Sequence, residues 1–220
     1  MEPSRSPAPR CPARRRLSAE MLRDQALFTS GLLVDKIGGP SVKPYHPDGL
    51  WEMTMGGGHY QVGKGDDLHR RSLYTYWKRT VPPPSMMTLD AADRSYCVVR
   101  RQATSTPLQA LVLLNDPQMV EAARHVAGRT LSEAGAGAEQ RARYAFALVT
   151  GRRPSKDEVS VLKRLLEEQE AHFQKDLAAA ERLLKVGEKP VPGEHPPAQL
   201  AAATVLAQLL FNHDEAVMRR

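Results

Sequence analysis

Ala198-Gln199-Leu200-Ala201-Ala202-Ala203-Thr204-Val205-Leu206-Ala207-Gln208-Leu209-Leu210-Phe211 is apolar nearly all the way round a helix of 3.6-residue period. A helix with one apolar stripe lies on a core, whereas a helix apolar on every side must be enclosed by others. The segment therefore predicts a central helix in a mainly helical fold. Gln199, Thr204 and Gln208 interrupt it, and it is shorter than the roughly 20 residues needed to cross a bilayer, so no transmembrane span is expected.

Working outward, the sequence supplies helices to surround it. Ser155-Lys156-Asp157-Glu158 is a capping box in which the Ser hydroxyl and the Glu carboxylate satisfy orphan amides of a first turn. It opens one long helix with a stripe of Leu162, Leu165, Leu166, Phe173, Leu177 and Leu184, followed by a proline-rich linker from Pro190 to Pro197. A helix over Glu139 to Thr150 ends at Gly151, which suits the left-handed position beyond a C-terminus. Thr106-Pro107 starts a short helix running to Leu114, and Asn115-Asp116-Pro117 starts another carrying Val120, Ala123, Ala127 and Leu131. Nearest the N-terminus, Ser18 caps a helix whose apolar positions run from Met21 to Ile37 before Gly38-Gly39-Pro40 stops it.

Between these lie irregular stretches. Residues 38 to 68 are rich in glycine, hold Pro40, Pro44 and Pro47, and read as a long loop that Tyr45, Leu50, Trp51 and Tyr60 pack against something. Residues 70 to 79 suit a strand or a short helix equally, and Pro82-Pro83-Pro84 forces an extended segment after them. The fold class is mostly α: an irregular helical domain with a long Gly/Pro-rich loop and room for one short strand or hairpin. Residues 1–16, rich in Pro, Arg and Ser, are read as a disordered basic tail, and residues 17–220 as the helical domain, with a linker-like stretch at 187–197.

Composition narrows function mainly by exclusion. At 220 residues, 41% hydrophobic and 25% charged, the chain has the makeup of an ordinary globular domain. The net charge of +6 permits acidic partners without requiring them, and much of the excess lies in Arg5, Arg10, Arg14, Arg15 and Arg16. Residues 1 to 10 have no apolar core for a secretory signal, which as written points to the cytoplasm. Cys11 and Cys97 have no ligand spacing, which argues against zinc, iron-sulfur or c-type haem attachment and leaves a disulfide between them open. Gly58-His59-Tyr60-Gln61-Val62-Gly63-Lys64 matches seven positions of a phosphate-binding loop, but Gly65 stands where the magnesium-binding Ser or Thr belongs, so nucleotide binding is rejected. The histidines at 46, 59, 69, 125, 172, 195 and 213 show no metal spacing and read as surface or capping residues, and no serine sits in a nucleophile elbow. No catalytic or metal-binding residue emerges.

The stretch from Leu68 to Leu89 stands out because it lacks acidic residues and interleaves Tyr74, Tyr76 and Trp77 with Arg70, Arg71, Lys78 and Arg79. Basic and aromatic side chains together bind anionic or ring-bearing ligands. The candidate ligand-binding set is Trp51, Arg71, Tyr74, Trp77, Lys78, Arg79, Arg100 and Arg101. A carbohydrate or anionic ligand requires Trp51, Tyr74, Trp77, Arg79 and Arg100 to converge. The competing and favoured expectation is that the aromatics are core and the basic residues pair with Asp66, Asp67, Asp90 and Asp93.

The segment Arg70-Arg71-Ser72-Leu73-Tyr74-Thr75-Tyr76-Trp77-Lys78-Arg79-Thr80-Val81-Pro82-Pro83-Pro84 resembles the central signature of the planctomycete domain of unknown function numbered 1553. Leu17 to Asp24, Gly38 to Val42, Gly49 to Glu52, Arg100-Arg101, Thr106 to Leu111 and Leu114 to Pro117 resemble that family in the same order, over about residues 14 to 220. The resemblance implies a C-terminal domain of large exported proteins that often carry haem c in a separate upstream domain, with no cofactor in this chain and a periplasmic or envelope location if it is a piece of such a protein. It supplies no reaction. The leading expectation is a helical interaction or accessory module that docks on upstream or partner domains; a carbohydrate- or anion-binding role is the alternative, and nucleic-acid binding through the basic tail is disfavoured.

Overall fold

A computed structural model of the chain describes residues 15–53 and 58–219. Its helices are α1 (Ala19–Ser30), α2 (Pro84–Thr88), α3 (Pro107–Asn115), α4 (Pro117–Glu133), α5 (Ala138–Thr150), α6 (Lys156–Lys175), α7 (Leu177–Leu184), α8 (Pro197–Phe211) and α9 (Asp214–Val217). Two short strands, β1 (Arg15–Arg16) and β2 (Met218–Arg219), pair antiparallel and tie the two ends of the described chain together. The mostly helical class expected from the sequence is the class observed, and the one short strand pairing is this terminal ribbon. Of the basic tail expected at residues 1–16, residues 1–14, with Cys11, lie outside the described residues.

Helix α8 is the axis of the core, enclosed by α4, α6, α7, α5 and α3. Ala201, Ala202, Leu206 and Ala207 are fully buried, and on the facing helix α4 so are Ala122, Ala123, Val126 and Ala127. Small residues on both sides set the separation of packed helices, so the α4–α8 contact is a close one. Thr204 sits fully buried within it because its hydroxyl donates to the Leu200 carbonyl at 2.7 Å and brings no unpaired polar group into the core. Phe146 from α5 and Leu162, Leu166 and Phe173 from α6 complete the same cluster.

Local chemistry sets most helix ends where the sequence places them. Ser18 accepts from the Met21 amide, and Thr106 and Ser155 form full capping boxes with Gln109 and Glu158. Gly151 takes the left-handed conformation, at φ 77°. Three elements differ from expectation. Helix α1 stops at Gly31, φ 75°, instead of running to Ile37, so Ile37 lies in an exposed loop. The long helix expected from Ser155 breaks at Asp176, whose carboxylate accepts from the Ala179 amide and starts α7 afresh; Ala180, and not Leu177, then enters the core. Pro84, expected in an extended run, instead begins α2, where a proline at the first helical position forfeits no hydrogen bond.

Among the described residues of 31–83 there is little regular structure, only two 3₁₀ turns at Gly65–His69 and Ser72–Tyr74 and isolated bridges such as Val42 to Thr75. Residues 70–79 are therefore neither a strand nor an α-helix. Carbonyls in such a segment lack ladder partners, and here buried arginines supply them. Arg23 of α1 donates to the carbonyls of Leu68 at 2.7 Å and Arg70 at 2.8 Å, and also to Ser72 and Gln118. Arg70, 3% exposed, donates onward to the carbonyls of Lys36, Gly38 and Pro40. Arg124 does the same for Leu184 at the end of α7 and Lys189 beyond it, and Arg129 for Thr29 at the end of α1.

Two substitutions test this core. Leu206→Ala should cost about 2–5 kcal/mol of unfolding free energy in urea titrations, as deletion of a fully buried leucine does. Leu209→Ala, at a position 44% exposed on the same helix, should cost much less.

Candidate functional site

The candidate residues read from the sequence are parted in space. Trp51 is buried, with Tyr60 at 5.0 Å and Tyr76 at 5.9 Å between ring centroids, while His46 stacks on Tyr60 at 4.5 Å. Two ammonium groups cover this cluster: Lys78 Nζ lies 4.3 Å from the Trp51 centroid, and Lys43 Nζ lies 5.4 Å from both Trp51 and Tyr76. The lysines thus occupy the ring faces that a ligand would need. Tyr74 belongs elsewhere, with the Arg70 guanidinium 3.9 Å above its ring and its hydroxyl accepting from the Gly38 amide. Trp77 donates to the Asp93 carbonyl at 2.9 Å under Arg94. Arg71 sits 3.6 Å from Asp24, Arg101 forms a two-oxygen pair with Glu20 at 2.9 Å, and Arg79 and Arg100 are exposed. Trp51 is buried, but Tyr74 and Trp77 are only half-buried and Tyr76 is 38% exposed, and the pairing of basic residues with Asp66, Asp67, Asp90 and Asp93 is not what forms: Asp90 takes Arg16, and Arg70 takes carbonyls.

Sequence spacing gave no sign of a second cluster, because its members lie far apart in the chain. His69 and Glu121 are both fully buried, with His69 Nε2 3.0 Å from Glu121 Oε2 and His69 Nδ1 3.1 Å from the Gly65 carbonyl. Reading His69 as a surface or capping histidine is thereby corrected. The second Glu121 oxygen accepts from the amides of Glu188 and Lys189, both at 2.8 Å, and Arg124 lies 4.0 Å away. The turn carrying those amides needs Gly187, which has φ +91° and whose Cβ would fall 2.7 Å from Glu121 side-chain atoms. One buried carboxylate thus holds the 65–69 turn and the 187–189 turn against α4. Every strong acceptor position on it is used internally, so it is a clasp and offers no exposed acid or base.

Burial raises the Glu121 carboxyl, but the hydrogen bonds from His69 and the two amides outweigh it and hold the group below the ordinary glutamate value. Burial pushes the neighbouring His125 imidazole down. Both shifts have the same sign in linkage: the unfolded chain binds protons more readily than the folded one, so stability falls as pH drops. The loss begins below about 6.5, the ordinary histidine value, through His125, and deepens below about 4.5 through Glu121. Urea titrations from pH 8 to pH 4 should show this decline, with the histidine part absent in His125→Gln. Glu121→Ala, which leaves the buried His69 without its carboxylate and the Lys189 amide without its acceptor, while the Glu188 amide keeps the Tyr45 hydroxyl, should cost about 3–5 kcal/mol at pH 7.

Elsewhere the described residues hold no group of three or more His, Cys, Asp or Glu side chains placed to bind a metal ion, and no helix long and apolar enough to cross a membrane. The partial phosphate-loop match leads into the 3₁₀ turn at Gly65–His69, not into the α-helix a phosphate-binding loop requires. A groove of about 620 Å³ runs between the terminal ribbon and residues 100–105, and it is where Arg100 and Arg101 lie.

No curated protein and no solved structure matches the chain. A family model does, over residues 8–166, and it takes in the Trp51 cluster, the capped helices α3 and α4, and the buried Arg23 and Arg70. The chain belongs to the family described as PSD1, proteins of unknown function (DUF1553).

Proposed function

We propose that this domain is a helical interaction or accessory module that docks on other domains of a larger envelope protein, of the planctomycete kind in which haem c is carried by a separate domain. The family has no assigned reaction, and none can be assigned to the chain. The observation that carries the reading is the composition of α3 set against its exposure. Pro107-Leu108-Gln109-Ala110-Leu111-Val112-Leu113-Leu114-Asn115 is as apolar as a core helix, yet Leu108 is 58% and Leu111 54% exposed. Leu209, on α8 against which α3 packs, is 44% exposed. An apolar face of this kind suits a partner surface. The upstream-domain association rests on the likeness of residues 70–84 and the flanking segments to the family signature.

Light-scattering size measurement should show the purified chain forming a one-to-one complex with a segment encoded upstream of it. The double substitution Leu108→Asp with Leu111→Asp should weaken that complex by about tenfold or more while leaving the far-UV spectrum unchanged. A wild-type chain that remains monomeric and binds no such segment contradicts the reading.

A further inference from the structure

A second surface, formed by residues 94–106 and the chain ends, has features that specify a partner more closely. Residues 94–106 are exposed throughout, and among the described residues the amides and carbonyls of 97–103 make no backbone hydrogen bond. The same run presents apolar side chains to solvent: Tyr96 is 69%, Val98 43% and Val99 fully exposed. β-branched and aromatic residues with bare backbone groups are what an added strand pairs with.

The groove beside this run is strongly basic. Arg15, Arg16, Arg100, Arg101 and Arg219 line it, against only Asp90 and Asp214. Arg101 is paired with Glu20, but Arg15, Arg100 and Arg219 have no acidic partner among the described residues. Arg16 lies at the groove's base with its side chain 8% exposed. Its Nη2 is used by the Leu89 carbonyl at 2.7 Å and Asp90 at 2.8 Å, whereas Nε and Nη1 have no acceptor.

We propose that residues 96–103 and the adjoining groove of the chain ends form a docking surface for an extended acidic polypeptide segment; this deepens the interaction reading above and rests on it. The segment's backbone pairs within 97–103, its alternate apolar side chains cover Val99, and the carboxylates between them, on the opposite face, meet Arg100 and reach Arg15 and Arg219 in the groove. Nucleic acid fits less well. Tyr96 is a single exposed ring beside two valines, and Trp77 is covered by Arg94, so the run offers no series of rings for successive bases to stack on. Asp90 and Asp214 would also oppose a continuous phosphate backbone, while spaced carboxylates can avoid them.

The probe is a labelled peptide of about ten residues alternating Glu and Val, followed by fluorescence anisotropy at physiological salt. Saturable binding is expected, with slowed amide exchange at 97–103 and none for a Lys/Val counterpart. Arg100→Glu and Val99→Asp, both at exposed positions, should each weaken binding about tenfold or more with an unchanged far-UV spectrum, and Arg79→Glu should not. The proposal is overturned if the Glu/Val peptide fails to saturate, if the Lys/Val peptide or a single-stranded oligonucleotide binds as well, or if Arg100→Glu binds like wild type. An Arg100→Glu chain that still forms the upstream-segment complex, where the α3 double variant does not, overturns this surface and leaves the interaction reading standing.

Discussion

The fold depends on buried guanidinium groups that donate to backbone carbonyls. A helical bundle satisfies its own backbone, but the described residues of 31–83 have almost no helix or sheet of their own. Arg23 reaches from α1 to Leu68 and Arg70, and Arg70 in turn reaches Lys36, Gly38 and Pro40, so two side chains fix carbonyls at both ends of the segment. The fork geometry of arginine makes this possible, since one planar group spans two or three acceptors at set angles, which an ammonium cannot do. Burial brings the Arg23 guanidinium down to about 10, partly offset by Asp24 and Asp116, and it therefore stays charged at neutral pH. Its hydrogen bonds are charge-assisted and correspondingly strong.

Glu121 repeats the device with the opposite sign. Where arginines gather carbonyls, this carboxylate gathers amides, and with His69 it fastens two distant turns to the middle of α4. Gly128, one helical face further on, lets Val191 approach so closely that a Cβ there would lie 2.3 Å from its methyl carbon. The proline-rich stretch before α8 is consequently seated against α4, and its path follows from α4's polar and small residues.

The helical part was legible in the sequence because its determinants are local. Capping boxes at Thr106 and Ser155, prolines at 107 and 117, and Gly151 act within one or two turns, and the all-round apolarity of residues 198–211 states its own burial. Helix ends that depended on a single competing side chain were less legible: Asp176 looks like any polar position on a long helix until its carboxylate caps the next one. The irregular segment and the candidate site were not legible, because their partners are remote in sequence. Arg70 and Arg71 read as one basic strip, yet one is buried on carbonyls and the other exposed beside Asp24. His69 and Glu121 carry no mutual signal at all, and the aromatic residues gathered only in part, with Trp51 and Tyr76 together and Tyr74 and Trp77 apart.

The most direct test is hydrogen exchange, resolved by residue, on Arg23→Met, which keeps the length and apolar stem of the side chain and removes the fork. The account predicts that amide protection collapses around Val34, Val42, Gly63 and residues 74–76, whose backbone bonds the clamp supports, while α4, α6 and α8 keep theirs. Unchanged protection in the irregular segment, or uniform loss across the helical core as well, would contradict it.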